Sequence, residues 1–348
     1  MTISIAGRKV GDGEPALVIA EAGVNHNGQA ELARRLVIQA KRAAADCVKF
    51  QTFRAERVVT KNAPKADYQL QGTSPAESQF EMLKSLELDR AVYRELVGLC
   101  KKEGILFLST PYDEEDADFL ETLGVEAYKL ASIHVVEHRF LSHVARKGKP
   151  LILSTGMSTL EEVSRAVRVL RDAGNKDFVL LQCTTDYPSS ADEANLRAMV
   201  TMRDSLGVLT GYSDHTQSFT AATVAAALGA CVFERHFTLD RSLPGPDQAC
   251  SLDPRGFSEY ARTIREAERA LGSSEKEPTA REKKNAIGMR RSIVAAKAIL
   301  AGQTITPKDI LMKRPAGGLL GDRSEEVLGR KALKKIKKDQ RITPDLLQ

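Results

Sequence analysis

Between residues 16 and 272 the sequence alternates short apolar, β-branched runs with longer segments in which apolar residues recur every three or four positions. The short runs are typical of buried strands and the longer segments of amphipathic helices. Strands are predicted at residues 16–23, 47–53, 105–111, 127–132, 150–156, 178–185, 207–215 and 231–237. Eight such units in succession favour a (β/α)8 TIM barrel. A doubly wound open sheet is the alternative, but no Gly-rich phosphate turn follows the first strand.

After residue 275 the pattern changes to short strands separated by turns. The letters ITP occur in AGQTITPKDIL (301–311) and again in KDQRITPDLL (338–347), which predicts a small β domain built from two similar halves. We therefore expect a barrel domain over 1–275, a linker over 276–285 and a small domain over 286–348. The insertion 54–87, which follows the second strand, is expected to cover the carboxyl-terminal rim of the barrel.

Composition and charge argue against a membrane protein and against a nucleic-acid-binding protein. The chain has 348 residues, 42% hydrophobic and 28% charged, which is typical of a soluble globular protein. It has no long apolar run, no signal-peptide pattern and five scattered cysteines, so we expect a cytoplasmic location and no membrane contact. Residues 281–348 hold 17 Lys and Arg against 7 Asp and Glu. Because no aromatic residue interrupts the basic segment, we expect attraction to anionic substrates and no nucleic-acid partner.

Polar residues occupy the carboxyl-terminal ends of the predicted strands, where the active sites of barrel enzymes lie. Taken one at a time they have ordinary explanations, because a lysine can snorkel, a serine often ends a strand and a histidine can be satisfied within a core. Together they form a polar set in phase across the eight strands, and that pattern favours a functional site. The set is Glu21, Lys49, Gln51, Thr110, Lys129, Ser132, Ser154, Thr185, Ser213, His215 and His236.

The residue types in this set indicate a reaction class. His215 and His236 end the seventh and eighth strands, within reach of one divalent ion such as Mn²⁺ or Zn²⁺ acting as a Lewis acid. The lysines and serines form a cradle for a phosphorylated, carboxylated anion. Glu21 and the nearby Asn25 and His26 add acid and base groups. A metal beside an anion cradle indicates the joining of a phosphate-bearing nucleophile to an aldehyde.

Several phrases resemble the N-acetylneuraminate (sialic acid) synthase family. They are IAEAGVNHNG, VKFQT, FLSTP, AYKLAS, LSTGM, QCTTDYP, GYSDHT, ERHFTLD and PGPDQACSLDP. The C-terminal segment, with KRPAGG, resembles the antifreeze-like (SAF, β-clip) domain of that family. The resemblance implies condensation of phosphoenolpyruvate with an N-acylated amino sugar, typically N-acetylmannosamine, to a nonulosonic acid and phosphate with C–O cleavage. It also implies Mn²⁺ or Mg²⁺ on the two histidines, a domain-swapped homodimer and a place in polysaccharide biosynthesis.

The resemblance also assigns roles to individual residues. Glu21 matches an active-site carboxylate, and Arg314 in KRPAGG matches an arginine that reaches the sugar in the other subunit. Without the resemblance, Tyr187 could equally be a rim aromatic and Asp247 a turn former. The positions that match phosphoenolpyruvate-binding residues are Lys49, Lys129, Ser132, Ser154, Thr185 and Ser213. Those that match sugar-binding residues are Gln51, Thr110, His134, Tyr187, Asp247 and Arg314.

Two positions depart from the pattern of the family. His134 stands where the family commonly has a sugar-contacting glutamate, and Thr185 stands where many members have asparagine. Both changes leave the histidines and lysines intact, and they bear on the choice of sugar. The substrate could therefore be a 2,4-diacetamido-6-deoxyhexose that leads to a legionaminic- or pseudaminic-type acid.

Two other functions are consistent with parts of the sequence. A synthase of the 3-deoxy-octulosonate 8-phosphate type would also join phosphoenolpyruvate to a sugar, but that family lacks the C-terminal domain. A non-catalytic carbohydrate- or ice-binding protein would explain the antifreeze-like segment. The intact His215 and His236 argue against it, because binding a sugar requires neither.

Overall fold

A computed structural model describes residues 1–66, 69–70, 72–74 and 76–348. The chain divides into two units, Met1–Gly272 and Ser273–Gln348. The first unit opens with an antiparallel hairpin, β1 (Thr2–Ile5) and β2 (Arg8–Gly11). This hairpin precedes the first predicted strand and was not expected from the sequence.

Eight parallel strands follow the hairpin. They are β3 (Leu17–Gly23), β4 (Cys47–Thr52), β5 (Leu106–Pro111), β6 (Tyr128–Leu130), β7 (Leu151–Ser154), β8 (Phe178–Cys183), β9 (Leu209–Asp214) and β10 (Val232–His236). Their order in the sheet is β5-β4-β3-β10-β9-β8-β7-β6. The two end strands, β5 and β6, also contact each other. The predicted (β/α)8 barrel is therefore confirmed.

The α-helices of the first unit are α1 (Ala30–Arg42), α2 (Ala55–Val58), α3 (Gln79–Ser85), α4 (Arg90–Glu103), α5 (Glu114–Thr122), α6 (His138–Ala145), α7 (Leu160–Asp172), α8 (Arg197–Leu206), α9 (Thr220–Ala227) and α10 (Pro254–Leu271). All of these helices except α2 and α3, which belong to the insertion after the second strand of the barrel, cover the outside of the barrel. Helix α7 begins with a capping box between Thr159 and Glu162, which satisfies backbone N–H groups that would otherwise lack a partner. Among the described residues, no helix has both the length and the apolar character needed to cross a membrane.

Strand alternation separates two apolar layers. On β3, Val18 points outward and packs against the helices, whereas Leu17 and Ile19 point into the barrel. The inward layer also contains Ile5 and Val10 from the hairpin, so β1 and β2 cover the amino-terminal end of the barrel. Because apolar side chains fill that end, the inward polar residues lie near the carboxyl-terminal end.

The second unit begins with α11 (Ala280–Met289), which covers part of the expected linker and part of the expected small domain. It continues with the antiparallel strands β11 (Ser292–Ala295) and β12 (Ile310–Lys313). Both ITP segments place a buried isoleucine, Ile305 and Ile342, in the same small core. Each is followed by a short 3-10 turn that begins at its proline. The two halves therefore share a local structure, as the repeat predicted.

His26 makes the stability of the first unit depend on pH. The residue is fully buried and accepts a hydrogen bond from the Gly28 N–H at 3.0 Å, and burial lowers the pKa of His26 to about 4. In the unfolded chain the pKa is about 6.5, so the unfolded state binds more protons between these two values. The contribution is therefore complete above pH 6.5 and is lost as the pH falls towards 4. It amounts to about 3 kcal/mol.

Urea unfolding at several pH values would measure this loss. In His26→Asn an amide oxygen can still accept from the Gly28 N–H, but the titrating ring is gone, so the slope between pH 6.5 and 4 should flatten. His138→Gln, at an exposed position on α6, is the control and should keep the slope of the wild type. Parallel slopes for His26→Asn and the wild type would contradict the assignment.

Candidate active site

A cavity of about 170 Å³ lies at the carboxyl-terminal end of the barrel. It collects most of the residues that the sequence singled out, because strand alternation sends every second side chain to the interior. The predicted residues that line it are Glu21, Lys49, Gln51, Thr110, Lys129, Ser132, Ser154, Tyr187, Ser213, His215, His236 and Asp247. The cavity therefore combines cations, carboxylates, hydroxyls and imidazoles within the first unit.

Lys49 lies at the centre of the first group of contacts. Its Nζ is 3.0 Å from Glu21 Oε2 and donates to Thr110 Oγ1 at 3.1 Å. Gln51 holds the same glutamate, since its Nε2 donates to Glu21 Oε1 at 2.9 Å. Glu21, Lys49 and Thr110 are each at most 3% exposed. The arrangement fixes the lysine at the cavity wall and gives it a permanent charge.

Lys129 forms the second group, together with a residue that the sequence analysis missed. Its Nζ donates to Ser154 Oγ at 2.8 Å and lies 3.4 Å from Glu234 Oε1. The other oxygen of Glu234 is 3.5 Å from Lys49 Nζ. A carboxylate therefore stands between the two lysines, where the sequence analysis described only cations and hydroxyls. Glu234 precedes His236 by two residues, and this spacing on a strand was the signal for an inward side chain.

Burial and charge act in opposite directions on these groups. Burial opposes the charged form of Lys49, but the carboxylates of Glu21 and Glu234 outweigh it and raise its pKa. Burial lowers the pKa of Lys129 and raises that of Glu21. For Glu234 the two lysines outweigh burial and lower its pKa. Glu234 is therefore the charged partner of both lysines, and Glu21 is the carboxyl that takes up a proton more readily.

The two histidines stand side by side, with ring centroids 5.5 Å apart. His215 Nδ1 donates to the Thr184 carbonyl at 2.7 Å, because a carbonyl oxygen can only accept. This bond leaves Nε2 of His215 as the nitrogen available to a ligand. His236 Nδ1 is buried without a hydrogen bond and lies 3.7 Å from Asp247 Oδ2. Tyr187 packs against both rings, at 4.2 and 5.6 Å between centroids.

The electrostatics of the two imidazoles differ, and only those of His236 favour the neutral form that binds a metal. Burial, and then the neighbouring His215, lower the pKa of His236 well below its ordinary value, so its ring is neutral near pH 7. Burial alone lowers the pKa of His215, but the Cys183 thiol and the Thr184 carbonyl raise it above its ordinary value. In the described part of the chain, no three His, Cys, Asp or Glu residues are grouped to hold a metal. Two imidazoles suit an exchangeable divalent cation that takes its other ligands from substrate and water.

A small polar recess adjoins Lys129. The backbone N–H of Gly156 donates to Ser132 Oγ at 2.9 Å, and a Cβ at position 156 would overlap Thr185 Oγ1. Only glycine allows these two hydroxyls to approach the backbone this closely. Thr185 itself is exposed and is not among the described residues that line the cavity. β8 ends at Cys183, so the last inward side chain of this strand is that of Cys183 and not that of Thr185. Cys183 was not predicted as a site residue.

His134 is not among the described residues that line the cavity. His134 is fully buried in the 3-10 turn Ser132–Val136, where its Nδ1 is 2.9 Å from Glu137 Oε2 and its ring packs on Phe140 at 4.6 Å between centroids. The structure therefore gives it a packing environment in which its ring also contacts Tyr112, a residue of the described cavity wall, at 5.9 Å between centroids. Arg314 belongs to the second unit, where its Nε donates to the Met289 carbonyl at 3.0 Å.

Asn25 and His26 support a loop and do not line the cavity among the described residues. The Asn25 amide donates to the Phe237 carbonyl and to Ser251 Oγ, at 2.9 and 2.8 Å. Gln248 Nε2 in turn donates to the Asn25 carbonyl at 3.0 Å. These bonds hold the segment that carries Asp247 against the end of β3.

The insertion 54–87 contributes the apolar side of the cavity, in agreement with its predicted position over the rim. Met82 and Leu83 of α3 line it together with Val24, and they belong to one apolar cluster. The Tyr112 hydroxyl donates to Gln51 Oε1 at 3.2 Å across the same side. Asp67, Tyr68, Gln71 and Pro75 of the insertion lie outside the described residues.

Comparison with known proteins gives consistent results. The sequence matches the NeuB family over residues 36–276 and the SAF domain over residues 290–348. It is 43% identical over 328 residues to the N,N'-diacetyllegionaminic acid synthase of Campylobacter jejuni, and the aligned region covers 94% of this chain and 98% of that protein. It is 34% identical over 321 residues to the pseudaminic acid synthase of the same species, which covers 92% and 93%.

A solved structure agrees with these matches. The crystal structure of the N-acetylneuraminic acid (sialic acid) synthetase from Leptospira borgpetersenii resembles this chain with a TM-score of 0.72 and 30% sequence identity. The similarity covers 82% of this chain and 95% of that one.

Proposed function

Because the chain belongs to the NeuB family, we propose that it is a nonulosonic acid synthase that condenses phosphoenolpyruvate with an N-acylated amino sugar and releases phosphate. The observation that carries this proposal is the single cavity in which two buried lysines lie beside two adjacent histidines. The lysines suit an anion with a carboxylate and a phosphate, and the histidines suit the carbonyl end of a sugar.

The lysines and hydroxyls bind and orient phosphoenolpyruvate. Lys129, with Ser154 at 2.8 Å, presents a cation and a hydroxyl together to one anionic group. Lys49 presents the second cation from the neighbouring side. Glu234 contacts both lysines and so keeps their ammonium groups directed at the same volume. Such fixed charges stabilise an anion more strongly in a buried site than in water.

The chemistry then requires a C–C bond and a bond from C2 to a water oxygen to form, and the C2–O bond to phosphate to break. C3 of phosphoenolpyruvate attacks the aldehyde carbon of the open-chain sugar, and the aldehyde oxygen takes up a proton. Water adds at C2, and the resulting intermediate collapses with cleavage of the C2–O bond, so that phosphate leaves and a 2-keto acid remains. Glu21 lies beside Lys49 at the cavity wall, and we assign it to holding the proton that the water loses.

His215 and His236 are the residues that would hold Mn²⁺ or Mg²⁺. When bound, the ion supplies Lewis-acid polarisation of the aldehyde oxygen. The residues themselves set the position of that oxygen, since the Thr184 carbonyl fixes the tautomer of His215 and Tyr187 packs against both rings. Asp247 lies next to His236 and can accept a hydrogen bond from a sugar hydroxyl.

We propose a 2,4-diacetamido-6-deoxy sugar as the partner of phosphoenolpyruvate. The identity to a diacetyllegionaminic acid synthase is 43%, against 34% to a pseudaminic acid synthase and 30% to a sialic acid synthetase. His134 supports the same choice, because it stands where sialic acid synthases commonly have a carboxylate and is buried against Phe140.

A phosphate-release assay tests this function and its sugar together. Phosphoenolpyruvate and Mn²⁺ are supplied with N-acetylmannosamine, with 2,4-diacetamido-6-deoxy sugars of the legionaminic and pseudaminic configurations, or with arabinose 5-phosphate. We expect turnover with the sugar of the legionaminic configuration and its loss on addition of a chelator. Turnover only with arabinose 5-phosphate would assign the chain to the 3-deoxy-octulosonate type of synthase.

Arg314 carries a separate prediction. We propose that the protein acts as a domain-swapped homodimer in which Arg314 of one subunit binds the N-acyl group of the sugar in the other. In Arg314→Ala the KM for the sugar should rise about tenfold or more, the effect of losing about 1.4 kcal/mol of binding. The KM for phosphoenolpyruvate should change little. Arg330→Ala, at an exposed arginine of the same unit, is the control, and an unchanged sugar KM in Arg314→Ala would remove the role.

A further inference from the structure

A buried ion pair lies directly beside the two histidines in sequence and on the outer side of their strands. Arg235 Nη1 is 2.9 Å from Asp214 Oδ1 and donates to the Asp214 carbonyl at 3.2 Å. The side chains are 3% and 0% exposed. Asp214 immediately precedes His215, and Arg235 immediately precedes His236. Each partner of the ion pair is therefore covalently joined to one of the proposed metal ligands.

The pair connects neighbouring strands at their carboxyl ends. Asp214 and Arg235 are paired in the register of β9 and β10, and both point away from the barrel interior because strand residues alternate. Asp214 Oδ1 also accepts from the N–H and the hydroxyl of Thr216, each at 2.8 Å. The carboxylate thus fixes the turn on the far side of His215 as well as the neighbouring strand.

The two imidazoles differ in how their rings are held. His215 has a direct hydrogen bond to the Thr184 carbonyl, whereas Nδ1 of His236 is buried and unbonded. The position of His236 therefore depends more strongly on its backbone, which is fixed next to Arg235. A change in the separation of β9 and β10 would alter the distance between the two ring nitrogens.

We propose that the Arg235–Asp214 ion pair sets the separation of His215 and His236 and thereby the affinity of the site for a divalent cation. The two residues are positioning residues, because neither lines the central cavity with the histidines. The inference rests on the metal site of the proposed function and adds residues behind that site. Loss of a group that orients metal ligands typically weakens metal binding by about 10- to 100-fold.

The alternative is that the ion pair contributes only to folding. A single substitution cannot distinguish the two roles, because Arg235→Met leaves the Asp214 carboxylate buried without its cation and should destabilise the fold. The double variant Arg235→Met with Asp214→Asn can distinguish them. It leaves no unpaired buried charge, and the asparagine oxygen still accepts from Thr216.

The experiment titrates each purified protein with Mn²⁺, follows the free ion by electron paramagnetic resonance, and records the Tm of the metal-free protein. We expect Arg235→Met to lower both the Tm and the Mn²⁺ affinity. In the double variant the Tm should recover towards the wild type while the Kd for Mn²⁺ stays at least about tenfold higher. Arg235→Lys, which keeps the charge with fewer donors, should fall between the wild type and Arg235→Met.

Arg265→Met is the control at a second, partly exposed ion pair of the barrel. Arg265 pairs with Asp46 at 2.7 Å, just before β4 and therefore at the opposite end of the barrel. The Arg265→Met variant should lower the Tm and leave the Kd for Mn²⁺ unchanged. A double variant that regains both the Tm and the Mn²⁺ affinity of the wild type would overturn the positioning role. Wild-type protein that binds no Mn²⁺ would overturn it together with the metal site, which separates the two failures.

Discussion

Replacing His236 with alanine is expected to lower kcat/KM by about a thousandfold or more, because several kcal/mol of Lewis-acid stabilisation depend on the two imidazoles. His236 is the ring without a hydrogen bond at Nδ1 and has a lowered pKa, so of the two proposed metal ligands it is the one whose ring is neutral near pH 7. The fold should be retained, since the variant removes no charged partner. Steady-state kinetics with the preferred sugar, at a Mn²⁺ concentration that just saturates the wild type, would measure the loss.

The control for this substitution is His138→Ala, at an exposed position on α6, which should retain full activity. Adding more Mn²⁺ should restore part of the activity of His236→Ala, because His215 still offers one ligand. Activity near the wild-type level at low Mn²⁺ would show that His236 does not take part in the reaction.

Replacing Lys129 with methionine is the second change with a large expected effect. Lys129 donates to Ser154 at 2.8 Å and lies 3.4 Å from Glu234, so the variant removes a cation from the phosphoenolpyruvate site and leaves a buried carboxylate with one cation fewer. Truncating one partner of a buried charge pair costs about 2–5 kcal/mol. We therefore expect kcat/KM for phosphoenolpyruvate to fall about a thousandfold and the protein to be destabilised by about 3 kcal/mol.

The double variant Lys129→Met with Glu234→Gln separates these two effects. It should regain most of the stability, because the buried carboxylate that lost one of its two cations is gone, but not the affinity for phosphoenolpyruvate. Varying each substrate in turn would show which KM changes. An increase confined to the KM for the sugar would place Lys129 at the other substrate.

Much of the fold and the site could be predicted from periodicity. The alternation of strand and helix patterns predicted the barrel. Because side chains alternate along a strand, the sequence also predicted that Glu21, Lys49 and Lys129 face the same interior. The same period is also consistent with an inward Glu234, which was missed because it lies two residues before the end of its strand. Cys183 was missed because β8 ends two residues before Thr185.

Other features depend on structure that periodicity does not encode. The chain leaves β6 in a 3-10 turn over Ser132–Val136, so alternation no longer predicts side-chain direction there. His134 consequently packs on Phe140 inside the protein. The hairpin of β1 and β2 was missed because each strand has four residues, too few for a clear pattern. The Arg235–Asp214 pair lies on the outer side of the strands, where the sequence alone predicts apolar contacts with helices.

The central claim is that this cavity joins phosphoenolpyruvate to an N-acylated amino sugar with cleavage of the C–O bond. The most direct test supplies phosphoenolpyruvate labelled with ¹⁸O at the bridging oxygen, Mn²⁺ and the 2,4-diacetamido-6-deoxy sugar, and analyses both products by mass spectrometry. We predict a nonulosonic acid with the mass of the condensed product and phosphate that retains the ¹⁸O label. Unlabelled phosphate, or phosphate formed without the nonulosonic acid, would contradict the proposed reaction.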